Sequence, residues 1–200
     1  MAALPDDVIT RKQMTVEEYL AFERASETKH EYIDGEIVAM TGAKENHNLV
    51  AGSTYATLYA QLRQRPCKVY PSDMRVKTGD GQYTYPDITV VCGEAAFEDD
   101  ERDTLLNPTV IIEVLSPSTE KYDRGKKFQH YRKMESLQEY LLIAQDSVHI
   151  EHYFRQGEQW ILTDFASLDA VVTLPSVDCT LALSDVYEKV SFEPEEKSNS

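Results

Sequence analysis

Pro86-Asp87 opens one apolar run, and Glu113 lies inside another, Val110-Ile111-Ile112-Glu113-Val114-Leu115. A carboxylate in such a run is costly to bury without a counter-charge, a metal ion or a cleft. Two acids at the ends of neighbouring strands converge on one place. Converging carboxylates suit a hard divalent cation with oxygen ligands, Mg²⁺ or Mn²⁺. The plainer alternative is a salt bridge at a strand end, and that requires a cation close by.

The chain supplies one in the segment after Glu113. On a helix of about 100° per residue, with Tyr122 set at the origin, Met134 falls near 120°, Tyr131 near 180° and Phe128 near 240°. The inward face therefore centres on Tyr131. Lys127, near 140°, lies on that face, whereas Lys126, near 40°, does not. Lys127 is also one turn from both Asp123 and Tyr131. An inward lysine beside two strand-end carboxylates is either an ion-pair partner or a catalytic cation.

The elements that must position these groups are readable in outline. Thr15-x-x-Glu18 is a capping box opening a helix to about Ser26. Asp34-Gly35 between His30–Ile33 and Glu36–Met40 is a hairpin signal. A second helix is expected from Asn46, as its cap, to Arg63. Short strands are expected at Cys67–Tyr70 and Met74–Val76. Ile88–Cys92 and Val110–Leu115 read as central strands buried on both faces. Residues 94–107 connect them as an acidic loop or lid. Ser116-Pro117-Ser118-Thr119 then opens a helix to Met134. Three further strands are expected at Glu139–Ala144, Val148–Phe154 and Gln159–Thr163. This order predicts one α/β domain over residues 14–192 with flexible ends at 1–13 and 193–200.

Two hundred residues, 42% apolar and 28% charged, describe one globular domain rather than a disordered chain. No apolar run is long enough for a membrane span. Met1–Gln13 has no apolar core, so no secretory leader is expected. Cys67, Cys92 and Cys179 are odd in number and far apart. They are expected to be reduced core residues of a cytoplasmic protein, not a disulfide frame or zinc site. The net charge of −15 repels polyphosphate at long range. Arg63–Lys77 and Ser116–Glu135 nevertheless carry local basic excess, which leaves a nucleic-acid contact surface open.

Taken in order, Pro86-Asp87, Ile112-Glu113-Val114-Leu115-Ser116-Pro117-Ser118-Thr119, and Asp123 with Lys127 and Tyr131 resemble the Uma-two (Uma2) family, within the PD-(D/E)XK nuclease-like superfamily. Glu31-Tyr32-Ile33-Asp34-Gly35-Glu36, His47 and Glu139-Tyr140-Leu141 match the same pattern. The resemblance implies a restriction-endonuclease-like fold, a mixed central β-sheet flanked by α-helices. It implies a Mg²⁺- or Mn²⁺-dependent endonuclease that hydrolyses phosphodiester bonds of nucleic acid, DNA first. Asp87 and Glu113 would be the metal-binding carboxylates, Lys127 the catalytic cation and Glu31 an upstream acid of the site. There is one departure. The superfamily pattern expects a lysine two residues after Glu113, where this chain has Leu115; Lys127, on the following helix, is the matching position.

A homodimer is expected by the same analogy, with Tyr140, Tyr153, Phe154 and Trp160 offering apolar surface. The rival reading is a binding or regulatory module that keeps the fold and acidic cluster while cleaving little, acting with a partner. Net acidity favours that module, whereas Asp87, Glu113 and Lys127 favour the enzyme. His47 is expected to cap or hydrogen-bond rather than ligate. His149 and His152, three apart on a strand, face opposite ways and do not share a metal. Ser118-Thr119-Glu120-Lys121 and Lys77-Thr78-Gly79 mimic β-lactamase motifs in reversed order and without Ser-Asp-Asn, so that reading is set aside.

Overall fold

The structure is a computed structural model that describes residues 13–192. The ends expected to be flexible lie outside the described residues, apart from Gln13, which forms an antiparallel bridge to Glu36. Helix α1 (Val16–Ala25) starts at the capping box: the Glu18 amide donates to Thr15 Oγ1 at 3.2 Å, and the Thr15 amide donates to Glu18 Oε2 at 2.9 Å. Strands β1 (His30–Ile33) and β2 (Glu36–Ala39) close around Asp34 and Gly35. The φ values of 52° and 86° at these two residues are what a two-residue type I′ turn demands.

Helix α2 (Glu45–Leu62) is followed by β3 (Cys67–Pro71), β4 (Arg75–Lys77), β5 (Tyr83–Thr84), β6 (Ile88–Cys92), β7 (Thr104–Leu105) and β8 (Val110–Leu115). Asn46 does not cap α2. Lys44 holds that position, and the Asn46 amide instead donates to the carbonyls of Gln145 and Ser191. After the connecting helix come β9 (Glu139–Ala144), β10 (Ile150–Gln156), β11 (Gln159–Phe165), β12 (Val171–Leu174), β13 (Cys179–Ala182) and a short α5 (Leu183–Val186).

The main sheet has six strands in the order β11-β10-β9-β8-β6-β3. It is mixed: β8 and β9 are parallel, and the other pairs are antiparallel. Strands β8 and β9 are buried along their whole length, which is why they read as nearly continuous apolar runs, interrupted by Glu113 and opened by Glu139. Alternate residues divide the core. Val110, Ile112 and Val114 pack with Val50, Leu58 and Leu62 of α2, while Ile111 and Leu115 pack with Phe128, Tyr131 and Tyr140 on the other face. Glu113 shares the second face by strand parity. A smaller sheet, β2-β1-β5-β4-β7, holds β1 over the same end of the molecule.

The helix expected to run to Met134 is divided into α3 (Glu120–Tyr122), a π-helical turn (Asp123–Lys127) and α4 (Phe128–Tyr131). Such widened turns recur at functional sites. The acidic 94–107 connection is tied down rather than loose. Arg24 holds Asp99 and Asp103 at 2.7 and 2.8 Å, and Lys77 holds Glu98 at 2.6 Å. Tyr140 is wholly buried, and Tyr153 and Trp160 pack on Phe128 at 4.6 and 5.3 Å, so three of the four aromatics expected at an interface serve the core, Phe154 being the exception.

The cysteine expectation needs correction. Cys67 and Cys92 stand directly opposite each other in the β3–β6 register and form a disulfide. Their separation of 25 residues carries no sign of that register, because strand pairing is set by the whole sheet. Only Cys179 is a free, buried thiol as expected. The argument from cysteines to a cytoplasmic location therefore fails. Among the described residues no helix is long and apolar enough to cross a membrane.

Candidate active site

Asp87 immediately precedes β6, and the antiparallel register Ile88↔Ile112 places it opposite Glu113, one step further along. The two acids therefore share one sheet face at the end of two adjacent central strands. The Val114 amide donates to Asp87 Oδ2 at 2.7 Å, and His47 Nε2, from the first turn of α2, lies 3.3 Å from the same oxygen. Burial disfavours the charged imidazole, but Asp87 and then Asp123 outweigh it and hold His47 above its ordinary range.

Lys127 lies at the centre of the cluster. Its Nζ is 2.9 Å from Glu113 Oε1, 3.0 Å from Glu31 Oε1 and 3.8 Å from Asp123 Oδ1. Glu31, Glu113, Asp123 and Lys127 are 8%, 4%, 3% and 6% exposed, so this is an enclosed ion cluster, while Lys126 is exposed. Glu31 reaches the cluster from β1 and also accepts from the Tyr85 amide at 3.2 Å. The Tyr131 hydroxyl lies 2.9 Å from both Glu113 Oε1 and Thr84 Oγ1.

Burial pushes Glu113 well above the usual carboxylate range; Lys127 opposes the rise, while Asp123, Asp87 and Glu31 add to it. Asp123 is raised for the same first reason. Burial works against the Lys127 ammonium, yet Glu113, Glu31, Tyr131 and Asp123 together hold it well above the ordinary lysine value. Lys127 is thus a fixed cation and not a proton acceptor at neutral pH.

The donor set suits a hard divalent cation. Asp87 Oδ1 and Glu113 Oε2 accept no hydrogen bond from the described residues, and both belong to carboxylates on adjacent strands. Oxygen ligands of this kind favour Mg²⁺ or Mn²⁺ over softer metals. The only three-residue group of metal-ligating types within 4.8 Å among the described residues lies elsewhere, at His149, Glu151 and Asp164 of the β10–β11 pair. Its members already have partners: Arg124 bonds Glu151 at 2.7 Å, and His149 bonds Asp164 at 3.0 Å. His152 turns away to buried Glu139, so the two histidines do diverge.

A family model described as "Putative restriction endonuclease", Uma2, matches residues 16–184. The chain belongs to the Uma2 family. Two Synechocystis sp. (strain ATCC 27184 / PCC 6803 / Kazusa) proteins are similar to it. Uncharacterized protein sll1609 is 38% identical, covering 82% of this chain and 94% of its own, and uncharacterized protein slr1290 is 34% identical, covering 90% and 94%. A crystal structure of "a putative nuclease belonging to DUF820" from Anabaena variabilis ATCC 29413 superposes with a TM-score of 0.71 at 24% identity, covering 87% of this chain and 97% of that one. That likeness shows the fold, which is restriction-endonuclease-like. At the level of class, this Uma2 member is nuclease-like.

The structure brings Asp87, Glu113, Lys127 and Glu31 to one place. Sequence reasoning named two further members of the cluster without giving them a place in it. Asp123 entered as part of the family pattern and as a neighbour of Lys127 but without a role of its own; at about 100° it lies just outside the inward arc defined by Met134, Tyr131 and Phe128. His47 was expected to cap or to hydrogen-bond in the core without a named partner; that partner is Asp87, a contact that depends on how α2 packs across the sheet.

Proposed function

We propose that this Uma2 protein is a Mg²⁺- or Mn²⁺-dependent endonuclease that hydrolyses phosphodiester bonds, with DNA as the preferred substrate. The observation that carries this reading is Lys127 held between Glu113 and Glu31, beside an Asp87 whose Oδ1 accepts no hydrogen bond from the described residues. A divalent cation at Asp87 and Glu113 would supply charge at the scissile phosphate and a more acidic water. Asp87 is oriented for that task by the Val114 amide and His47. Glu31, Glu113 and Asp123 keep Lys127 charged, so that its ammonium can stabilise negative charge developing on the phosphate. The Tyr131 hydroxyl donates to the same Glu113 oxygen that Lys127 meets and so helps to hold its rotamer.

The reading includes a homodimer. Ile161 and Leu162, 41% and 45% exposed on the edge strand β11, support it, since an unguarded edge favours pairing with another chain. It also places the protein in the cytoplasm, where nucleic acid and divalent cations are both available. Net charge −15 and the enclosure of Lys127 favour the second reading, a regulatory nuclease-fold module that cleaves little and works with a partner.

The two readings separate on cleavage of single- and double-stranded DNA and RNA with Mg²⁺, with Mn²⁺ and with chelator. The endonuclease reading expects metal-dependent cleavage that Asp87→Ala abolishes. It also expects metal binding by calorimetry to be lost in that variant. Cleavage of no substrate with either metal would favour the module, and equal metal binding by both proteins would remove Asp87 from the metal site.

A further inference from the structure

The register of the main sheet sets four carboxylates in one row. Asp87 stands opposite Glu113, Glu113 pairs with Leu142, Leu142 with Glu151, and Glu151 with Asp164. Residues paired across a sheet share a face. Leu142 packs with Ile111 and Phe128, so the row lies on the side of the connecting helix. Glu151 is two strands from Glu113, roughly 10 Å. It therefore belongs to a place apart from the Lys127 cluster.

His149, just before β10, completes this second group. One ligand atom from each of His149, Glu151 and Asp164 lies within 4.8 Å of the others. His149 Nε2 is 3.0 Å from Asp164 Oδ1. That is near the spacing of roughly 3.4 Å between neighbouring ligands of a tetrahedral ion with bonds of about 2.1 Å. The His149 backbone is held by Tyr187: its amide donates to the Tyr187 hydroxyl at 3.0 Å, and its carbonyl lies 2.8 Å from the same hydroxyl. Glu151 is buried, and its two oxygens accept from Arg124 Nε at 2.7 Å and the Tyr153 hydroxyl at 3.0 Å, one each. A carboxylate has about four lone-pair sites, so both oxygens keep room for a further ligand.

The charges here do not balance. Arg124 also serves Glu120 at 2.8 Å, so one guanidinium answers Glu120, Glu151 and Asp164. With the imidazole neutral, the group is two positive charges short. Glu151 and Asp164 moreover stand directly opposite each other, where like charges are destabilising. A divalent cation supplies the missing charge.

We propose that His149, Glu151 and Asp164 bind a divalent cation of the Zn²⁺ class, at a second site separate from Asp87 and Glu113. An imidazole beside two carboxylates suits Zn²⁺ or Co²⁺ better than Mg²⁺, which prefers oxygen ligands alone. The ion replaces the hydrogen bond between His149 and Asp164. Arg124 and Tyr153 keep the ligating Glu151 oriented, as hydrogen-bond partners of metal ligands do. Asp164 is exposed, so the ion enters from solvent.

The probe is Zn²⁺ itself, titrated by calorimetry into the full chain with the Cys67–Cys92 bond intact, so that neither cysteine offers a thiolate. The Asp87→Ala variant serves as parent, to disable the other site. It should bind one Zn²⁺, gain in Tm when Zn²⁺ is added, and keep the ion in excess Mg²⁺. Adding His149→Ala should weaken binding at least about tenfold and remove the gain in Tm. Should that protein not fold, Asp164→Asn, an exposed change, gives the same comparison. Adding His130→Ala instead should change nothing, since that imidazole meets one carboxylate, Asp80.

Equal Zn²⁺ affinity with and without His149 overturns the proposal, as does a parent that binds no Zn²⁺ or loses it through His130→Ala. Displacement by Mg²⁺ overturns the class of ion. None of these readings needs cleavage, so they decide the second site whether or not the chain is a nuclease.

Discussion

Lys127→Ala is the most informative single perturbation of this protein. It strips the shared cation from Glu31, Glu113 and Asp123, each less than a tenth exposed. Removing one partner from a buried ion pair costs about 3–5 kcal/mol, because the other charge is left without compensation. For a chain of this length that is a fall in Tm on the order of 10 °C. Lys126→Ala, one residue away but exposed, should stay within about 0.5 kcal/mol of wild type.

The deficit should depend on pH in a particular direction. Glu113 is held above its ordinary value by burial, and without Lys127 it rises further. A carboxyl whose folded value exceeds its unfolded one binds a proton more tightly when folded. Its penalty is therefore largest at neutral pH and shrinks as pH falls to the ordinary carboxylate range. Thermal melts of both variants from neutral to mildly acid pH, with cleavage assays alongside, measure all of this. Cleavage should drop at least about a hundredfold in Lys127→Ala, the scale of one transition-state charge contact, and hardly change in Lys126→Ala. Equal melting temperatures for the two variants would mean that the cluster is not an enclosed ion site. Equal loss of cleavage would mean that the inward phase of Lys127 has no catalytic meaning.

Three other outcomes are expected. Burial favours the neutral acid at Asp80, yet Lys133, His130 and Thr78 outweigh it and hold it down at about 2. Asp80→Asn should thus cost about 1 kcal/mol at neutral pH after allowance for solvent screening, a difference that fades as pH falls from about 4 towards 2 in acid unfolding curves. Reduction of the Cys67–Cys92 bond, or Cys67→Ser, should lower stability by about 3 kcal/mol if the entropy of its loop governs. Thiol counting by mass spectrometry on protein from reducing and oxidising preparations shows which state is present, and three free thiols in both would remove the bond. Light scattering at micromolar concentration should give twice the 22.8 kDa chain mass, and a value at one chain mass would refute the dimer.

Much of the site was legible before any fold was known, and for local reasons. The capping box, the Asp34-Gly35 turn and the runs 88–92 and 110–115 each depend on a few adjacent residues, and each formed as read. The placement of Lys127 inward and Lys126 outward followed from helical angle alone, and it survived even a π-helical turn that the angle did not anticipate. Residues whose role depends on distant partners were not legible. Two-residue strands such as β5 and β7 have no period to detect, and they exist only because β1 and β4 offer them edges. The β12–β13 hairpin went unread although it buries Val172, Leu174 and Leu181 against α2.

The sequence by itself singled out candidates for chemistry, two acids on apolar strands and one inward lysine, and the family resemblance added Glu31. Burying a charge is costly, so an acid in an apolar run announces a site wherever the chain folds. Tertiary structure alone decided who meets whom. The β6–β8 register sets Asp87 opposite Glu113, and the crossing of α2 brings His47 to Asp87. The docking of β1 delivers Glu31 to Lys127 across 96 residues, and the β3–β6 pairing turns two unremarkable cysteines into a bond. These contacts come from the register and packing of whole elements, which no short window of sequence contains.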